Sequence, residues 1–163
     1  MGLSITPKFT TDELRQVIQS RMDRIEAAAI SRLQFVGEKF VTNARNNGAY
    51  KDHTGNLRSS AGYVILKNGE QIFQNFQAFP QVDPKAEGAG QGVQQAQKAA
   101  DEVAAKLKDS FPTGLILIGV AGMDYAAAVE SKGYDVITSS SLTAKTDLET
   151  GLKELQSKIA QLT

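Results

Sequence analysis

The sequence predicts an α+β fold: a small, mostly antiparallel sheet with a long N-terminal helix, a middle helix and a C-terminal helix packed on it. Three observations predict it. Apolar residues recur at helical spacing in three separate stretches. An Asn-Gly pair sits between two strand-like runs. The run Leu115 to Ala121 is apolar throughout.

The first helix is read from Thr11 to about Asn46. Leu14, Ile18, Met22, Ile25, Ala29, Leu33, Val36 and Phe40 follow one another in steps of four and three, the spacing of one helical face. Thr10-Thr11-Asp12-Glu13 is a capping box, and Asp12 and Glu13 sit at the positive end of the helix dipole. Asn46-Asn47-Gly48 is a suitable stop, because Asn and Gly tolerate the left-handed conformation that ends many helices. Such a helix spans about 50 Å, whereas a compact chain of this length is only about 40 Å across. Either it kinks, with Gly37 the expected place, or another subunit covers part of its apolar face. The repeat of about 3.7 residues suits a nearly straight helix, which favours the second. Leu14, Ile18, Met22, Ile25, Leu33 and Val36 are therefore candidate subunit-interface residues.

Ala49 to His53 is a polar connector. In Thr54-Gly55-Asn56-Leu57-Arg58-Ser59-Ser60, Thr54 or Asn56 can cap a single helical turn, with Leu57 as its buried anchor. Ala61 to Leu66 reads as a strand. Lys67-Asn68-Gly69-Glu70 reads as a type I′ hairpin, since both central residues tolerate positive φ. Gln71 to Phe79 returns as the second strand. Its imperfect alternation, with Phe73 and Phe76 on opposite faces, marks a bulge or break. Residues 80–92 form a flexible loop whose Gly88, Gly90 and Gly92 are expected to order at a subunit contact. Gln94 to Ser110 is the middle helix, with a narrow face of Val93, Ala96, Ala100, Val103 and Leu107. Leu115 to Ala121 reads as a central strand covered on both sides. Tyr125 to Glu130 continues as a short strand or turn, and Tyr134 to Thr138 as a short final strand. Thr146-Asp147-Leu148-Glu149 is a second capping box, opening a C-terminal helix within 141–163 that can pair with the first helix.

The 163 residues suit one domain, and its 18 Lys plus Arg balance its 18 Asp plus Glu. With no basic surplus, the chain is not built to neutralise phosphates. Without cysteine it has neither disulfides nor thiolate metal sites. No run is long and apolar enough to span a bilayer, and no signal-peptide pattern opens the chain. Met1-Gly2-Leu3-Ser4-Ile5-Thr6 fits a myristoylation pattern, but residues 1–10 are read as a packed N-terminal arm.

Candidate chemistry is sparse. His53, the one histidine, lies near Ser59 and Ser60, yet no Gly-x-Ser-x-Gly elbow accompanies them and no Asp is placed to orient the imidazole. Asp124, Glu130 and Asp135 are close in sequence, but turn carboxylates usually bond to nearby amides. Gly88-x-Gly90-x-Gly92 lacks the third glycine of a dinucleotide fingerprint and any following Gly-Lys-Ser/Thr. Lys51, His53 and Arg58 form a modest basic cluster.

Two segments say more together than apart. Thr54-Gly55-Asn56-Leu57-Arg58-Ser59-Ser60 follows the long helix and precedes the hairpin. Tyr125-Ala126-Ala127-Ala128-Val129-Glu130, then Lys132-Gly133, comes much later. Over residues 10–140 this order resembles the tail-completion (head–tail joining) proteins of long-tailed bacteriophages and prophages. The resemblance implies a structural virion protein at the neck, with no catalytic residues, no metal and no cofactor. Its subunits would form a ring, commonly a hexamer, bound to the head-completion or connector protein on one side and the tail tube protein on the other. DNA would be passing cargo, which a neutral channel surface would not trap, and no membrane is involved. By the same likeness Thr54, Gly55, Leu57, Arg58 and Ser60 shape the turn that launches the hairpin. Tyr125, Val129 and Glu130 pack the strand that meets it, with Gly133 in the following reversal. Arg58 and Glu130 are expected to form an ion pair within or between subunits. An aromatic is common in the family where Ala128 stands, and Tyr134 is expected to fill its place. The alternative reading is a bacterial ligand- or peptide-binding module without catalytic activity, with an apolar pocket between sheet and helices.

Overall fold

The computed structural model describes residues 8–80, 83 and 85–161. Among them it contains five helices and a three-stranded antiparallel sheet, an α+β fold. The order is α1 (Thr11–Asn47), α2 (Asn56–Ser59), β1 (Ala61–Lys67), β2 (Glu70–Asn75), α3 (Gly92–Ser110), β3 (Leu115–Ala121), α4 (Ala126–Ser131) and α5 (Thr138–Ala160). The proposed N-terminal arm lies largely outside the described residues.

The sheet runs β2-β1-β3. β1, not β3, is its centre. Leu115–Ala121 is apolar on two faces and both are used: Ile118 and Val120 pack with Ala96 and Ala100 of α3, while Leu115 and Leu117 pack on the side of α1 and α5. Burial of two faces does not require a neighbour on each edge, and β3 is an edge strand. β1 is sandwiched in the same way, with Val64 and Leu66 towards α3 and Tyr63 and Ile65 towards α1 and α5. This alternation is the pleat of a strand between two helical layers.

The hairpin forms as its residues require, with Asn68 at φ 52° and Gly69 at φ 79°. Leu66 faces Gln71 but Ile65 faces Phe73, so Ile72 is the extra residue of a bulge. Phe73 and Phe76 then serve opposite faces. Beyond the turn, Asn68 exchanges hydrogen bonds with Gly114, which ties the hairpin tip to the start of β3.

α1 is one helix of 37 residues, about 55 Å long, with the Thr10–Glu13 capping box formed. Gly37 does not break it. Its missing side chain admits the Tyr63 ring, whose atoms lie 2.5 Å from where a Cβ would sit. The C-terminal end departs from expectation: Gly48 is extended at φ −65°, not left-handed. α5 lies antiparallel to α1, since Arg32 pairs with Glu154 and Lys39 with Asp147 (2.6 Å). Close approach is possible because Gly151 faces the Arg32 side chain.

Two expected strands are corrected. Tyr125 to Glu130 contributes α4, and Tyr134 to Ile137 is irregular chain that enters α5 at Thr138. α5 also starts at Thr138 rather than at Thr146, whose hydroxyl donates to the Leu142 carbonyl inside the helix. No helix among the described residues is long and apolar enough to cross a membrane.

Candidate functional site: an assembly surface

The apolar face of α1 divides in two. Its C-terminal half is covered by this chain: Leu33 and Val36 are 6% and 1% exposed, and Leu33 packs with the sheet and α5. That corrects their placement at a subunit interface. Its N-terminal half has no such cover among the described residues. Residues 11–25 are all exposed, about 22 Å of helix standing clear of the body. Leu14, Ile18 and Met22 are 45%, 49% and 58% exposed, and Ile25 and Val17 are exposed beside them. The polar side chains of this overhang are partly satisfied along the helix, with Arg15 donating to Asp12 (3.3 Å) and Gln19 to Asp23 (2.8 Å). The stripe continues the same three-four spacing that buries Val36 and seats Leu33 and Phe40 on the sheet. The helix therefore carries its apolar face past the end of its own sheet, and a strip of that kind is a candidate interaction surface.

The two motif segments meet behind this helix. Leu57 and Ala126 are buried in one small cluster with Tyr50 and Val136, and Val129 packs against it. Gly55 turns the chain at φ 66°, Thr54 accepts from the Asn56 amide (3.3 Å), and the Ser60 hydroxyl donates to the Leu57 carbonyl (2.8 Å). Tyr125 stands against the same segment. Burial and the Asp52 carboxylate push its phenol pKa up, and contact with the Thr54 side chain pulls the other way.

Arg58 and Glu130, however, work apart. The Arg58 guanidinium donates to the Arg45 (2.9 Å) and Gly48 (3.0 Å) carbonyls and lies over the Tyr50 and Phe79 rings. It thus closes the negative end of α1, the task expected of a left-handed glycine. Glu130 accepts from the amides of Val136 (2.9 Å), Ile137 (3.1 Å) and Thr138 (3.2 Å), which fixes where α5 begins. Asp135 likewise accepts from the Ser139 amide (3.0 Å). Gly133 turns at φ 85° in open space, and Tyr134 is exposed, so it does not replace an aromatic at Ala128.

Partial burial raises the Glu130 pKa, but the hydrogen bonds from Thr138, Ile137 and Val136 outweigh it and hold the carboxyl below its ordinary value. A depressed carboxylate adds stability above its unfolded pKa and loses it as pH falls through the folded one. The stability gap between the native chain and Glu130→Gln should therefore be full above about pH 5 and close in more acidic solution. Urea midpoints at both ends of that range would check this, and a gap that widens in acid would contradict it.

Gly88, Gly90 and Gly92 have different roles. Gly88 and Gly90 sit at φ 79° and 88° with open space around them, as a contact loop allows. Gly92 is buried against the Asn56 carbonyl and is not available to a neighbour. Asn56 was read only as a possible cap. It is buried, donates to the Gly88 carbonyl (2.6 Å) and accepts from the amides of Gln91 (3.1 Å) and Gly92 (3.3 Å). It thereby pins the loop to the start of α3, and only its place in the motif signalled this. Asn56→Ala should cost about 2–3 kcal/mol and expose residues 85–91 to proteolysis, measured by denaturant midpoint and limited digestion.

The remaining candidates are structural or exposed. The Ser59 hydroxyl accepts from the Phe79 amide (2.9 Å), Ser60 is bonded to Leu57, and His53 lies on the surface. Comparisons with models of protein families, with curated proteins and with solved structures find no match for this chain.

Proposed function

We propose that this chain is a structural protein of the bacteriophage neck, a ring subunit that completes the tail and joins it to the head connector. The observation that carries the reading is the uncovered stripe of Leu14, Ile18 and Met22 on a helix longer than its own body. The ordered resemblance of residues 10–140 to tail-completion proteins, and the convergence of its two motif segments on one small core, also support it. The stripe and the Gly88–Gly90 turn give one subunit two different contact surfaces. Different surfaces meeting head to tail close into rings where the rotation between subunits closes, commonly with six subunits in the resembled family. The head-completion or connector protein and the tail tube protein are the partners, and the virion neck is the location.

The test is direct. Concentrated protein should form closed rings in negative stain and bind purified tail tubes at one end. A chain that stays monomeric at high concentration and ignores tubes would refute the reading. A binding module is the second reading, favoured by a mostly apolar cavity of about 240 Å³ between the sheet and α1 and α5. That volume falls below the range of small-molecule sites.

A further inference from the structure

β3 is an edge strand that no other described strand pairs on its outer side. The Asn68–Gly114 and Ser60–Gly122 bonds fix which residues face β1. Even-numbered residues of β3 point their amides and carbonyls inwards, so Leu115, Leu117, Gly119 and Ala121 point theirs outwards. None of these outward groups has a hydrogen-bond partner among the described residues. The strand also lacks the charges, proline or bulge that usually protect an exposed edge. β2, at the other edge, carries Glu70, Gln71 and Gln74, which are exposed.

Beside this edge lies the apolar cavity. Leu117 and Gly119 form one wall, Phe40 and Tyr63 the floor, and Ala144 and Leu148 of α5 the other wall. Gly119, Ser141 and Lys145 are exposed and mark its mouth, between β3 and α5. At about 240 Å³ it suits aliphatic side chains rather than a free ligand. An unpaired strand edge beside an apolar socket is the equipment for strand addition: main-chain bonds supply affinity and the socket supplies register.

We infer that this edge and socket receive residues 2–6 of a second copy of the chain, with Leu3 and Ile5 entering the cavity. Gly2-Leu3-Ser4-Ile5-Thr6 alternates apolar and small polar residues, so Leu3 and Ile5 share one face of an extended strand. The segment lies outside the described residues, attached at the tip of α1. The chain cannot supply its own socket. Phe40, which packs on Gly119, is about 44 Å along the helix from Thr11. Fully extended, the link from Ile5 to Thr11 reaches back only about 20 Å. A neighbour's overhang brings the segment where its own helix cannot. The inference rests on the ring reading and deepens it, because the donor strand and the acceptor edge are different surfaces of one chain.

The native chain has no cysteine, so paired cysteines give a clean test. Two single variants of the full chain, Ile5→Cys and Ser141→Cys, are mixed and oxidised with diamide. The expected result is a disulfide-linked pair of unlike chains, at least ten-fold above a control mixture of Ser4→Cys with Ser141→Cys. A Leu3→Asp, Ile5→Asp variant should also associate at least ten-fold more weakly. Rings that persist in that variant without the crosslink would overturn strand addition and leave the ring reading standing. A crosslinked pair whose native mass in solution stays at two chains at high concentration would sustain strand addition and remove the ring.

Discussion

Replacing Ile18 and Met22 together by Asp is expected to abolish self-association while leaving the chain folded. Both side chains are about half exposed, and no described part of this chain covers them. The cost to the folded monomer is therefore within about 0.5 kcal/mol per site. In an assembly the same side chains would be buried, each contributing about 1.5–3 kcal/mol, and a carboxylate in their place must be desolvated as well. Association should weaken by at least ~100-fold. Sedimentation across a concentration series would show it, with circular dichroism as the check on folding. The opposite pattern, a large loss of stability with unchanged association, would place the stripe inside a monomer. Leu33→Asp is the contrasting variant. Leu33 is buried by its own sheet and α5, so it should unfold the chain rather than dissociate it.

Arg58→Ala should cost about 3 kcal/mol and lower Tm by roughly 6–12 °C. The loss has two parts. The last carbonyls of α1 lose charged donors that nothing else replaces, and the Tyr50 and Phe79 rings lose the flat cation between them. Arg58→Lys should recover less than half, because an ammonium can neither fork between two carbonyls nor stack in a plane. The same site distinguishes the observed capping role from the expected ion pair. Arg58 and Glu130 share no hydrogen-bond partner, so the effects of Arg58→Ala and Glu130→Ala should add to within about 0.5 kcal/mol. Coupling above about 1 kcal/mol in the assembled state would restore a pair across subunits.

Much of this was legible because local signals agreed with their surroundings. The Thr10–Glu13 box, the Asn68–Gly69 turn and the bulge near Ile72 are short-range devices, and each formed where the residues stand. The failures share one cause. Thr146-x-x-Glu149 is as good a capping box as Thr10-x-x-Glu13, yet Glu130 binds three amides ahead of it and starts α5 eight residues earlier. Tyr125 to Glu130 fits a strand or a helix equally well over so few residues. Its packing on Leu57 and Val136 selects the helix. Arg58 and Glu130 have the charges of a pair, and each found backbone partners instead.

By itself, then, the sequence determined the α+β class, the hairpin, the long first helix and the apolar stripe along it, because these depend on spacing and on residues within one turn of each other. Only the tertiary structure decided that β1 holds the centre and β3 the edge, and that the stripe is half core and half open surface. It alone revealed Asn56 as the clamp on the glycine loop. Those outcomes depend on which elements arrive beside one another, and no periodicity records what a neighbour leaves uncovered.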